Sequence, residues 1–198
     1  MLQSGDQQGV EAVGNHAKKK TRRYKEREAE KVKAYQEEIE EIAEEKRVYI
    51  DKSGFQTYYD REYGYAPKGE KVFGEIAGKK YARTNLVAAR VGDHILAPMY
   101  YNQNTNSEIF EIWFENQLTP LLHPGDVVIM DNASFHRKAK LSEIAERRQI
   151  RILFLPPYSP ELNPIEKTWA NIKRWLKNNT RFHSSFEDAL CAAIEFYS

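Results

Sequence analysis

Asp126-Val127-Val128-Ile129-Met130-Asp131 is the stretch whose reading decides the fold of this chain. Four consecutive apolar residues without polar alternation predict a strand covered on both faces, the pattern of an inner strand in a helix-flanked sheet. The acid that closes the run draws notice, because a charge beside a sheet core is costly unless it is paired or bound to a cation. Upstream, Arg47-Val48-Tyr49-Ile50-Asp51 repeats the pattern of a short apolar strand ended by an aspartate. Downstream, Ile150 to Leu155 predicts another buried strand.

The segments between these strands complete an order of elements. Asn85–Val91 and His94–Tyr100 flank Gly92-Asp93, two strand-like runs around a two-residue loop that signal a hairpin. Ser107 to Leu122 predicts a helix with Ile109, Ile112, Trp113 and Phe114 on its apolar side. Lys138–Gln149 predicts a second helix, and 164–178 and 184–197 two more at the end. The order is three strands including the hairpin, then helix, strand, helix, strand, helix, helix. This implies an α/β fold with a mixed sheet, an antiparallel hairpin plus parallel strands, flanked by helices.

Before the sheet, Val32, Tyr35, Ile39 and Ile42 mark one helical stripe within a charged segment from about Lys20 to Lys46. That stripe is expected to dock on the following domain or on a partner subunit. Residues 1–47 therefore read as an irregular start and a charged helical arm, and 48–198 as the domain proper. Nine basic residues lie between Lys18 and Lys33, and six glutamates between Glu37 and Glu45. This order opposes the helix macrodipole. Either a basic arm lies on phosphate or a solvated charged linker precedes the domain.

Composition narrows the function classes. The 198 residues carry a net charge of only +1, so no whole-molecule excess of base marks a nucleic-acid binder. Cys191 is the single cysteine and the five histidines are scattered, which excludes a disulfide scaffold or a cysteine-rich zinc site. No apolar run approaches the roughly 18 residues of a membrane span, and no secretory signal opens the chain. The expectation is a cytoplasmic protein without membrane contact.

Three acids carry the candidate chemistry. Asp51 and Asp131 end apolar strands, and Glu166 opens a helix after Asn163-Pro164. Together they could form an oxygen-ligand cage for a pair of divalent cations, which clamps the attacking and leaving oxygens of a phosphodiester. Each has a plainer reading: a turn residue before Ser53-Gly54 for Asp51, an Asx turn for Asp131, and a capping box with Asn163 for Glu166. His136 could relay a proton or contact phosphate, or be structural. Lys167, Lys173, Arg174 and Lys177 form a basic flank on the Glu166 helix, suited to a DNA backbone or to solvent. The tyrosines at 58, 59, 63 and 65 could stack on bases or pack a loop.

Tyr49-Ile50-Asp51-Lys52-Ser53-Gly54, Met130-Asp131-Asn132-Ala133-Ser134-Phe135-His136 and the run from Leu155 to Glu166 (LPPYSPELNPIE) closely resemble bacterial insertion-sequence transposases of the mariner-like superfamily. The resemblance covers about residues 20–198, and the 34 residues between Asp131 and Glu166 fit its pattern. It implies a DDE endonuclease domain of ribonuclease H-like fold in which Asp51 bridges two Mg²⁺ (or Mn²⁺) ions while Asp131 and Glu166 hold one each. It further implies that the enzyme cuts transposon ends and transfers the freed 3′ hydroxyl to target DNA at TA, as a homodimer in the bacterial cytoplasm near the nucleoid. Lys52 stands where these transposases usually carry Glu, adding positive charge near the scissile phosphate. Residues 1–48 are too short and irregular for the family's end-recognising helix-turn-helix. The expectation is therefore a split, frameshifted or truncated reading frame, with a separate N-terminal chain as partner. The rivals are a ribonuclease H-like nuclease without strand transfer, and a non-catalytic remnant that binds DNA or a transposase and regulates it.

Overall fold

A computed structural model describes residues 28–56, 67–71, 83–102, 106–133 and 136–197. The irregular start, the basic part of the arm and the four tyrosines at 58–65 lie outside these residues. One five-stranded sheet organises the rest. Its strands are β1 (Arg47–Gln56), β2 (Arg83–Val91), β3 (His94–Tyr101), β4 (Val127–Met130) and β5 (Arg151–Phe154), in the spatial order β3-β2-β1-β4-β5. β1, β2 and β3 are antiparallel neighbours, and β4 and β5 join in parallel on the far side of β1. Gly92 at φ 54° turns the hairpin between β2 and β3, a left-handed conformation that costs glycine little.

The helices are α1 (Ala29–Glu40), α2 (Ser107–Trp113), α3 (Lys138–Arg147), α4 (Ile165–Asn179) and α5 (Phe186–Phe196). Strand alternation divides their work. Val48, Ile50, Val87, Ala89, Val128 and Met130 point to a face covered by α2 and α3, against Phe110, Trp113, Leu141 and Ile144. Phe55, Leu86 and Ala88 point to the other face, under Trp169 and Ile172 of α4 and Leu190 of α5. The remaining part of that second face is covered by the arm, where Tyr35 and Ile42 pack on Val127, Ile129 and Leu155. The stripe read in the sequence thus docks on its own sheet, and each fully buried side chain there adds about 1.5–3 kcal/mol of burial energy.

Four local expectations need correction. β1 does not turn at Gly54; it runs to Gln56, because residues 51–56 keep pairing with residues 83–88 of β2. α2 ends at Trp113 and continues as a π-helical turn over Phe114–Leu118 and a 3₁₀ turn over Thr119–Leu121. Its buried residues are Phe110, Glu111 and Trp113, whereas Ile112 is 53% exposed. β5 is half-buried instead of buried, since it is the sheet's edge strand with a neighbour on one side only.

Candidate active site

The parallel pairing of β1 with β4 aligns Tyr49 with Ile129. Two residues further along both strands stand Asp51 and Asp131, level with each other and, by alternation, on the same side as their partners. β4 stops at Met130, so Asp131 emerges at the strand's carboxyl end, where α/β sheets open into crevices. β1 continues past Asp51, which is held inside the sheet and half-buried.

The third acid is brought in by the helix start. Asn163 is buried and does not cap α4; its Nδ2 donates to the Ile50 carbonyl at 3.2 Å, one residue before Asp51. Pro164 takes the position before the first helical turn, with no side-chain cap. The capping-box reading of Asn163 and Glu166 is therefore replaced by a tether between α4 and β1. Arg90 of β2 secures the same turn: Nη1 donates to the Pro164 carbonyl at 2.9 Å and to Thr168 Oγ1 at 3.0 Å. Nη2 meets Asp93 Oδ1 at 2.7 Å and Nε the Gly92 carbonyl at 2.6 Å, so one guanidinium joins the hairpin turn to the helix.

Asp51, Asp131 and Glu166 consequently line one open cleft of about 510 Å³. Its other wall is the rigid loop from Leu155 to Pro160, where Tyr158 stands exposed with φ 56°. Of the remaining candidates, His136 is buried and its Nε2 lies 3.1 Å from Asp131 Oδ1, with its ring 4.4 Å from that of Phe110. Lys52 lines a smaller adjoining cavity with Asp51, Asp131 and His136. Lys173 Nζ donates to Ser53 Oγ at 2.8 Å. Lys167, Arg174 and Lys177 do not line the cleft.

The aspartates are pushed in opposite directions. Burial raises the Asp51 carboxyl from 3.8 to about 7, and the negative charge of Glu166 adds to the rise. The Lys52 backbone N–H and the Trp169 indole, whose Nε1 donates to Oδ2 at 2.8 Å, work against it. Asp131 is held below the usual carboxylate range by its hydrogen bond to His136, over the opposing effect of burial. The weaker local bond from Ala133 N to Asp131 Oδ1, at 3.4 Å, is what remains of an Asx turn.

An anion forced into a poorly hydrated cleft beside another anion is a site that a cation would relieve. The donors are hard carboxylate oxygens, which fit Mg²⁺ or Mn²⁺ and not a soft metal. Among the described residues no three acidic, histidine or cysteine side chains close around one point.

A family model described as DDE superfamily endonuclease matches residues 46–189. The chain belongs to the DDE superfamily endonucleases. The match spans every strand and both aspartates of this DDE domain, together with Glu166. An uncharacterized protein, y4pE/y4sA of Sinorhizobium fredii, is 39% identical over 71 residues, which are 34% of this chain and 49% of that one. The chain spans about half the length of that curated relative.

Among solved structures, the Mos1 strand transfer complex is similar with TM-score 0.63 and 13% identity, over 93% of this chain and 64% of that one. The Mos1 transposase paired-end complex with left transposon end gives TM-score 0.62 and 12% identity, over 94% and 69%. The Mos1 catalytic domain solved with raltegravir and Mg gives 0.54 and 12%, over 85% and 79%. These likenesses establish the fold of the DDE domain as the ribonuclease H-like fold of transposase catalytic cores. No described helix of the domain is long and apolar enough to cross a membrane.

Trp169, Asn163 and Arg90 were not legible as site residues. Trp169 sits on the apolar stripe of α4, and nothing in spacing distinguishes an indole whose N–H reaches a carboxylate from one that only fills the core. The reach of Arg90 across 74 residues to Pro164 has no local signal at all.

Proposed function

We propose that this domain is the catalytic core of a metal-dependent DNA transposase, cutting transposon ends and transferring the 3′ hydroxyl to target DNA. The observation that carries this reading is the shared cleft of Asp51, Asp131 and Glu166, in which burial and Glu166 leave Asp51 in need of a counter-charge. Asp51, Asp131 and Glu166 would together hold the two Mg²⁺ or Mn²⁺ ions. When bound, the ions supply Lewis-acid stabilisation of the attacking and leaving oxygens. The chain's own residues do the rest. Trp169 orients Asp51, His136 fixes the rotamer of Asp131, and the Asn163 tether and Arg90 set the start of α4. Lys52 adds positive charge beside the cleft. Catalysis is then positioning and charge stabilisation, with no covalent enzyme intermediate.

DNA as partner is supported by the family and by the fold shared with transposase–DNA complexes. A TA target, a homodimer that pairs two ends, a separate helix-turn-helix chain and a cytoplasmic location complete the proposal. Lys167, Arg174 and Lys177 remain proposed backbone contacts outside the cleft.

The test is Mn²⁺ soaking with an anomalous map, followed by nicking of supercoiled plasmid. Manganese within about 2–2.5 Å of oxygens of Asp51, Asp131 and Glu166 is expected, with nicking lost in Asp131→Asn. Metal elsewhere, or undiminished nicking by Asp131→Asn, would overturn the assignment. DNA binding without metal-dependent nicking in the wild type would make the chain a DNA-binding regulator. Nicking without end joining would make it a nuclease.

A further inference from the structure

Gly54 lies in the interior of β1, opposite Asn85 of β2, where a glycine weakens a strand and needs a reason. The reason is Arg83. A Cβ built on Gly54 would lie 1.9 Å from Arg83 Nε and 2.2 Å from Nη2. The guanidinium therefore rests directly on the β1 backbone, in space that any other residue would occupy. β4 pairs only with Arg47–Tyr49, so among the described residues no strand lies beside the outer edge of β1 beyond Asp51. Across Gly54, Arg83 reaches a cavity of about 350 Å³ that it lines with Gly54, Gln56 and Lys173.

Lys173 arrives from the opposite face of the sheet. It follows Glu166 by seven residues, two helical turns along α4, and Trp169 lies between them on the same side. Trp169 donates to Asp51 and Lys173 to Ser53, so the helix runs alongside β1. Lys173 Nζ also lies 5.4 Å from the centre of the Phe55 ring. Its partners are thus a hydroxyl and an aromatic face, and among the described residues no carboxylate lines the cavity. Among the described residues neither cation takes part in an ion pair. Ser53 stands two residues from Asp51 on the same face of the strand, about 7 Å along it.

We propose that Arg83 and Lys173, which line one cavity beside Gly54, form a subsite for a backbone phosphate of the DNA strand that leads to the carboxylate cleft. An arginine fork and a lysine point charge are the two groups best matched to a phosphodiester oxygen pair. Contacts of this kind position a strand without reading its bases. The subsite rests on the DNA-acting reading above but not on its metal chemistry.

The experiment is fluorescence anisotropy of the full chain on a labelled random-sequence duplex without divalent metal, over roughly 50–200 mM salt. Each lost phosphate contact lowers the magnitude of the log–log salt slope by about 0.9. Arg83→Gln and Lys173→Gln are each expected to show this loss. Gly54→Ala is the geometric test: its methyl group displaces only the flexible end of Arg83, so circular dichroism and Tm stay near wild type while the slope falls as in Arg83→Gln. Arg147→Gln, an equal charge loss at a residue paired with Glu115 on α3, leaves the slope unchanged. An unchanged slope in Arg83→Gln, an equal fall in Arg147→Gln, or no duplex binding by the wild type would each overturn the proposal. Plasmid nicking is scored separately. Loss of slope in a chain that never nicks would keep this subsite and sink the transposase reading, and normal nicking with an unchanged slope would do the reverse.

Discussion

Asp51→Asn should make the metal-free protein more stable while abolishing cleavage. The carboxyl titrates near 3.8 when unfolded and at about 7 when folded, so the folded state binds the proton more tightly. Below 3.8 both states are protonated and the folded pocket pays nothing for charge. As pH rises from 3.8 towards 7 the unfolded chain ionises first, and stability falls by up to about 1.36 kcal/mol per pH unit. Above 7 the loss is complete, with a ceiling of about 4 kcal/mol from the difference between the two values. An asparagine escapes this loss and keeps one oxygen for the Trp169 indole, but its amide cannot accept the Lys52 N–H, at a cost of about 1 kcal/mol. The net gain at pH 8 in EDTA is about 1–3 kcal/mol, or a Tm rise of roughly 2–10 °C for a chain of this size. The gain should vanish below pH 4. Added Mg²⁺ should raise the wild-type Tm and leave the variant unmoved. The assay is thermal unfolding by circular dichroism across pH 4–8, with and without metal. A variant no more stable than wild type at pH 8 would refute the claim that Asp51 is held as a destabilised anion.

Trp169→Phe removes the donor to Asp51 while keeping an aromatic against Phe55. It should weaken Mn²⁺ binding about 10–100-fold by calorimetry, and an affinity within twofold of wild type would make the indole merely core. Arg90→Met severs four bonds, two within the hairpin turn and two to the start of α4; urea unfolding should show a loss of about 2–4 kcal/mol, only partly restored by Lys, which lacks the fork. Phe110→Ala should cost about 3–5 kcal/mol and Ile112→Ser under about 0.5 kcal/mol, separating the buried from the exposed residue of α2.

The sequence by itself determined the order of elements and the hairpin, and it singled out the three acids as candidates. These are written in local signals: an unalternating apolar run for β4, Gly92-Asp93 for the turn, and a stripe of apolar residues for α4. It also showed that the arm would dock. It did not show that Ile112 faces solvent, because apolar residues fall on more than one side of α2 and only packing selects the side that is buried. Nor did it separate Asn163 as a tether from Asn163 as a cap, since both use the same side chain at the same position. Only the tertiary structure decided that Asp51 and Asp131 stand level, through a parallel register that pairs residues eighty positions apart. It alone set Trp169 on Asp51, Arg90 on Pro164 and Arg83 over Gly54. Periodicity reports which face of an element is buried, but the partner on that face is fixed by long-range packing, and so are the proton affinities of the acids it encloses.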